Sequence, residues 1–224
     1  NMWLGPAPLR DFNKNRFHFN FRWFWDYAGG LMTDWGVHLL DMALAAMQAD
    51  LPNSAMSAGG KMAFPQSPIE TPDTQQVIYE FDGFNVIWDH AMGIGNGDWR
   101  RDHGLSFIGN NGTLVVDRGG WEVIPEGSKE KPLVTPVSRI KGTGQGLTLN
   151  VQNFIQGIKN KDRNTKANPT IGRAVAGMAH MGNIALKVGN KVYWDHEKKE
   201  FKNNAEANAL MTPSYRDPWK LPKI

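Results

Sequence analysis

Asp34, His38 and Asp41 lie within Asp34-Trp35-Gly36-Val37-His38-Leu39-Leu40-Asp41 at spacings of four and three residues. On a helix, that spacing puts all three on one face. Val37, Leu40 and Leu44 recur at helical spacing through the same stretch, and Leu39, Met42, Ala43 and Ala46 widen the apolar surface most of the way round. The sequence therefore predicts a buried helix with one ionisable stripe, running from an N-cap at Thr33 to about Met47. A carboxylate in the first turn is favoured by the helix dipole and can orient an imidazole one turn later, which makes His38 a positioned acid/base with Asp34 as its partner. The bland alternative is a core histidine satisfied by a neighbouring carboxylate, since structural ion-pair networks perturb titration as well. A metal reading is weaker: one straight helix rarely brings such groups onto a single ion, and no second histidine cluster completes a shell. No metal ligand is assigned.

Aromatic side chains crowd the approach to this helix, where Phe17, Phe19, Phe21, Trp23, Phe24, Trp25 and Tyr27 surround Arg22 and Asp26 ahead of Gly29-Gly30. Flat rings suit the apolar side of a sugar, and a guanidinium supplies forked donors for hydroxyls or a carboxylate. Arg22, Trp23, Trp25, Trp35 and Asp41 are thus candidate substrate contacts, whereas the period-two Phe17, Phe19 and Phe21 read as core. Trp99 and Arg100, after the glycine-rich Gly93-Ile94-Gly95-Asn96-Gly97, form a second candidate wall, with an exposed hairpin loop as the alternative. Gly93-x-Gly95-x-Gly97 and Gly142-x-Gly144-x-Gly146 resemble dinucleotide loops, but Asp98 and Leu147 replace the last glycine and neither sits in a parallel βαβ unit. No residue of this chain is assigned to a cofactor. His180 and Asn183 read as packing or capping residues of the last long helix.

The elements that must hold these residues are legible from turn signals. Gln75 to Phe81 and Phe84 to His90 flank Asp82-Gly83, Leu105 to Gly109 and Thr113 to Asp117 flank Asn110-Asn111-Gly112, and Gly119-Gly120 leads into Trp121 to Pro125. These signals predict an antiparallel meander of about six strands across residues 54–137. Helices are expected over Leu147 to Lys159 and Pro169 to Val188, with Gly189 ending the second, and one more strand over Lys191 to Trp194. Trp3 to Pro8 reads as an extended arm, and the tail Tyr215 to Trp219 as irregular. The fold class is α+β: a predominantly antiparallel open sheet with helices packed on one face, in one domain spanning residues 1–224.

Composition bounds the remainder. With 41% apolar and 21% charged residues and no cysteine, disulfide frameworks, thiol catalysis and Cys-ligated zinc are excluded. Cytoplasm and periplasm stay equally open. The longest apolar stretch, Leu39 to Met47, is broken by Asp41, and the amino terminus reads as carrying no signal peptide, so no membrane association is expected. Residues 1–117 hold 7 basic and 13 acidic side chains and residues 118–224 hold 18 and 9, but the basic residues interleave with Asp and Glu. That pattern is a solvated surface, and no nucleic-acid partner is expected.

The block Gly29-Gly30-Leu31-Met32-Thr33-Asp34-x-x-x-His38-x-x-Asp41 resembles the carboxyl-terminal domain of the glucose–fructose oxidoreductase / inositol dehydrogenase / MocA-like (Gfo/Idh/MocA) family, a largely bacterial group. Trp3 to Pro8, Trp23 to Asp41, Phe107 to Leu114, Gly182-Asn183-Ile184-Ala185 and Tyr193-Trp194-Asp195 extend the likeness along nearly the whole chain. The resemblance implies a substrate-binding and oligomerisation domain whose amino-terminal Rossmann domain, binding NAD or NADP, is absent from this chain. It implies that His38 exchanges the proton of a reacting hydroxyl on a sugar, cyclitol or glycoside while hydride passes to the nicotinamide, with Asp34 orienting His38. It also implies that these 224 residues alone bind no dinucleotide tightly and turn over nothing. The family's polarising lysine comes from a Glu-Lys-Pro segment of the other domain; Glu130-Lys131-Pro132 occurs here in the wrong order and is coincidental. Two further readings accompany this one: an NAD-assisted glycosidase domain, and a non-catalytic sugar-binding or oligomerisation scaffold. A homo-oligomer formed through the sheet is expected under each.

Overall fold

Alternation in the sequence is converted directly into pairing around Asp82-Gly83. Strands β2 (Thr74–Phe81) and β3 (Phe84–Ala91) form an antiparallel hairpin, with Phe81 opposite Phe84 and Gly83 in the left-handed region at φ 86°. Strand β1 (Ser54–Gly60) adds antiparallel to β2, and the late strands β8 (Val192–Asp195) and β9 (Glu200–Phe201) complete a five-stranded sheet in the order β3-β2-β1-β8-β9. The structure is a computed structural model and describes residues 2–221.

Along β2 the side chains of Gln75, Val77 and Tyr79 are buried while Gln76 and Ile78 are exposed, so one face of the sheet builds the core. Two helices cover that face. Helix α1 (Gly30–Met47) contributes Met32, Leu40 and Leu44, and α3 (Pro169–Val188) contributes Val175, Met178, Ala179, Met181, Ile184 and Ala185. Fully burying a side chain of this size stabilises the fold by about 1.5–3 kcal/mol. The short helix α4 (Ala205–Ala209) adds Ala207 to the same core. The expectation of helices on one face of an antiparallel sheet therefore holds.

The meander is longer than expected and divides. Strands β4 (Leu105–Gly109), β5 (Gly112–Asp117), β6 (Gly120–Pro125) and β7 (Val137–Lys141) make a separate four-stranded antiparallel sheet in sequence order. Residues 94–172 form a second compact unit holding this sheet and helix α2 (Gly146–Asn160), while residues 1–93 and 173–224 form the first. The second unit is organised around charge: Arg101 and Arg139 both pair with Asp117, Arg101 also meets Glu122, and the side chains of Arg101 and Asp117 are buried.

Three local expectations are corrected. Trp3 to Pro8 is a series of turns rather than an extended arm, closed by Gly5 N–H to Met2 O and Ala7 N–H to Leu4 O. Phe17, Phe19 and Phe21 are not core: they lie on or beside a 3-10 helix, His18–Trp23, in which Phe19 and Phe21 are exposed and Phe24, just after it, is buried instead. A tight turn has a period near three, so a period-two spacing cannot place them on one face. Helix α1 is buried only along the stripe Met32, Gly36, Leu40, Ala43 and Leu44, with His38, Asp41 and Met47 exposed.

Candidate functional site

Thr33 does not cap α1. The helix starts three residues earlier, at Gly30, whose φ of 67° requires a residue free of Cβ strain. A Cβ there would also sit 2.6 Å from the Cβ of Thr71. The hydroxyl of Thr33 accepts the N–H of Gly29 at 3.0 Å, and Asn183, buried in α3, donates from Nδ2 to the carbonyl of Gly29 at 2.8 Å. Asn183 therefore ties α3 to the start of α1 rather than capping a helix, and His180 stands exposed on the same helix. Together these contacts fix where the helix begins, and hence where Asp34 and His38 point.

Asp34 is paired with Arg22, its Oδ2 lying 3.2 Å from Nε. The guanidinium of Arg22 stacks 3.6 Å above the ring centroid of Phe19, with Phe21 at 5.5 Å. The side chain of Arg22 is only 15% exposed, yet Nε and Nη1 have no aligned hydrogen-bond acceptor among the described residues. The contact with Asp34 is thus an electrostatic pairing, and Nε and Nη1 are enclosed. His38, one turn along α1, is exposed and meets the ring of Trp35 edge-on at 6.4 Å. The carboxylate partner anticipated for the imidazole is engaged by Arg22, and Asp41 stands exposed a further turn on.

Trp23 and Trp25 are held by a loop that no sequence motif marks. Glu70 and Thr71 donate their N–H groups to the carbonyl of Trp23, and Glu70 Oε2 accepts the N–H of Trp25 at 3.0 Å. Arg10 bridges Asp26 and Glu70 at 2.9 and 3.0 Å. Lys187 lays its ammonium 3.9 Å over the ring of Trp25. Burial lowers the pKa of Lys187 from its usual range, with the charges of Asp26 and Glu70 opposing the shift. Both half-buried tryptophans are therefore pinned through their backbones, and Trp25 has one face already occupied by a cation. Trp99 and Arg100 lie in the second unit, in the short turn Asp98–Arg100, where both adopt left-handed backbone conformations at φ 59° and 56°.

A shallow hollow of about 270 Å³ lies between Trp3 to Ala7, Phe21, Asp26 and Tyr27, and a wider one of about 480 Å³ runs along Asn190 to Tyr193 and Lys202 to Asn204. His38 lines neither. Among the described residues no cluster of histidine and carboxylate groups could hold a metal, and no helix is long and apolar enough to cross a membrane. Neither glycine-rich loop has the setting of a Rossmann dinucleotide loop. Gly142 to Gly146 links β7 to α2, but β7 is an antiparallel neighbour of β6, and Gly97 precedes only a three-residue turn. A Rossmann site needs the loop of a parallel βαβ unit. Glu130-Lys131-Pro132 is exposed loop in the second unit.

Residues 1–89 and 143–221 match the family described as "Oxidoreductase family, C-terminal alpha/beta domain" (GFO_IDH_MocA_C2), and the chain belongs to that family. Solved structures agree on the fold. They include the WlbA dehydrogenase from Bordetella pertussis in complex with NADH and UDP-GlcNAcA (16% identity, 78% of this chain and 48% of that one, TM-score 0.54). They also include GenD2 from gentamicin A biosynthesis in complex with NAD (15%, 85% and 53%, 0.51) and a protein described as an oxidoreductase from Klebsiella pneumoniae (15%, 80% and 52%, 0.52). This chain spans about half the length of these relatives. No curated protein sequence matches significantly.

Proposed function

We propose that this chain is the substrate-binding and acid/base half of an NAD(P)-dependent oxidoreductase acting on a hydroxyl of a sugar, cyclitol or glycoside. The dinucleotide is assigned to a domain outside these residues. The observation that carries the reading is the exposed imidazole of His38, one helical turn beyond an Asp34–Arg22 pair resting on Phe19. An imidazole open to solvent can take the proton of a bound hydroxyl and pass it on to water. Arg22 supplies a guanidinium charge near the imidazole for the hydroxyls or carboxylate of the substrate, and Trp35 and Trp23 supply flat apolar surface. Asp34 then acts by holding the Arg22 fork, rather than by hydrogen bonding to His38. WlbA, a relative in fold, was solved with a nucleotide-linked sugar, which favours a carbohydrate substrate class.

The outer face of the first sheet fits the expected homo-oligomer. Met56, Ile78 and Ile87 lie directly opposite one another across β1, β2 and β3, and all three are exposed. An apolar row of this kind suits a two-fold partner of the same surface.

The test is His38→Ala in the polypeptide carrying the dinucleotide domain. Turnover of the preferred sugar should fall about 100-fold or more while KM changes little. Unchanged turnover would leave a non-catalytic scaffold as the better account.

A further inference from the structure

The hollow of about 270 Å³ beside the first turns of the chain is made of aromatic rings and of polar groups that the protein leaves unspent. Trp3, Phe21 and Tyr27 wall it, and Asp26 lines it between them. The walls are held in place. Trp3 meets Tyr27 edge-on at 5.4 Å and Phe17 at 5.5 Å, and the backbone around it is closed by the turns at Met2 to Ala7. Oδ2 of Asp26 is buried against Nε of Arg10 at 2.9 Å. Among the described residues, Oδ1 of Asp26, the hydroxyl of Tyr27 and the indole N–H of Trp3 take part in no hydrogen bond.

Such a lining suits a neutral, polyhydroxylated ring. Aromatic faces cover the apolar side of a sugar, while a carboxylate oxygen, a phenol and an indole N–H accept from and donate to its hydroxyls. A cation is not matched, because Arg10 already neutralises Asp26 and spends Nη1 on Glu70. An anion is not matched either, because no lysine, arginine or histidine lines the hollow. Drug-sized ligands occupy pockets of about 300–1,000 Å³, so the space here suits a single ring with its substituents.

We propose that this hollow is a subsite for a further sugar ring of a glycoside substrate whose reacting ring lies at His38. The inference rests on the reading of the chain as the sugar-binding half of an oxidoreductase, and it narrows that reading to an oligosaccharide or glycoside rather than a free monosaccharide. Phe21 joins the two places: it lines the hollow and stands 5.5 Å from the guanidinium of Arg22, which pairs with Asp34 one turn ahead of His38 on α1. All of these residues belong to the first compact unit.

The experiment uses the polypeptide that carries the dinucleotide domain, labelled with 5-fluorotryptophan, with the Trp3 signal assigned by its loss in Trp3→Phe. Cellotriose, maltotriose and triacetylchitotriose are titrated beside the methyl glycosides of their single rings and followed by fluorine NMR. At least one trisaccharide should shift the Trp3 signal, with half-saturation at least tenfold below that of its single ring. Asp26→Asn should raise that half-saturation about tenfold, and Tyr27→Phe, which removes only a hydroxyl, about threefold. A Trp3 signal that no trisaccharide moves, equal half-saturation for a trisaccharide and its single ring, or half-saturation unchanged in both variants would each overturn the proposal. A shifted Trp3 signal beside turnover unaffected by His38→Ala sinks the catalytic reading alone. Turnover lost with His38→Ala beside a Trp3 signal that no sugar moves sinks this inference alone.

Discussion

Replacing Gly30 by alanine should cost about 3 kcal/mol, and the structure separates that figure into two parts. At φ 67° an L-residue pays roughly 1–2 kcal/mol for the left-handed backbone. The new methyl would then lie 2.6 Å from Thr71 Cβ, 2.7 Å from its Oγ1 and 3.1 Å from its Cγ2. Overpacking of that kind costs about 1–3 kcal/mol. Thr71 is fully buried and its Oγ1 has no hydrogen-bond partner among the described residues, so Thr71→Gly removes the obstruction without breaking a hydrogen bond. In the Thr71→Gly background Gly30→Ala should therefore cost only the backbone part, leaving a coupling of about 2 kcal/mol between the two sites. Urea denaturation followed by tryptophan fluorescence gives all four corners of the cycle. A single-mutant cost below about 0.5 kcal/mol, or additive mutations, would refute the claim that the start of α1 is fixed by this contact.

Three further outcomes follow from the same geometry. Asp73 accepts N–H groups from Met62, Ala63 and Phe64 at 2.8–3.1 Å, and although burial pushes its pKa up, these donors outweigh it and hold it below the usual carboxylate value of 3.8. Its contribution is complete above pH ~4 and is lost as pH falls through the lower folded value; Asp73→Asn should cost about 2–3 kcal/mol at neutral pH and erase that acid step in a stability–pH curve. Burial holds the imidazole of His90 below 6.5, neutral, with Nδ1 accepting from Trp88 Nε1 at 2.9 Å. Stability should thus be full above pH ~6.5 and decline as the unfolded chain takes up a proton below it, and His90→Asn should flatten this part of a Tm-versus-pH profile. Arg22→Lys keeps the charge but not the fork or the stacking on Phe19; in the intact oxidoreductase it should raise KM about tenfold with kcat little changed, and an unaltered KM would remove Arg22 from the substrate site.

What could be read from the sequence was what is local. Helix α3 runs from Pro169 to Val188 as expected, because proline suits a first helical turn and Gly189 at φ 71° provides the left-handed stop. The Asp82-Gly83 hairpin was equally plain. The start of α1 was not, since Thr33 looks like a cap, and only the tertiary contacts of Gly29 and Gly30 with Asn183 and Thr71 show that the helix begins before it. Division of the strands into two sheets was hidden because every antiparallel hairpin has the same alternation, whichever sheet it joins. At the site, the spacing of Asp34 and His38 on one helix was legible. The diversion of Asp34 to Arg22, the strap formed by Glu70 and the cation of Lys187 over Trp25 are contacts between distant segments that no spacing encodes.

The tail, irregular as expected, is fastened to the opposite end of the sequence: Arg216 donates from its backbone to Pro6 O, from Nε to Ala7 O and from Nη2 to Gly5 O. The beginning and the finish of the chain are thereby knotted at a single point. Trimming a dozen residues from the carboxyl end would loosen the turns that shelter Trp3 beside Tyr27, and with them the aromatic shelf, more than two hundred positions away. Affinity tags and fusions placed after Trp219 would pull on the backbone that holds Gly5 to Ala7 in place.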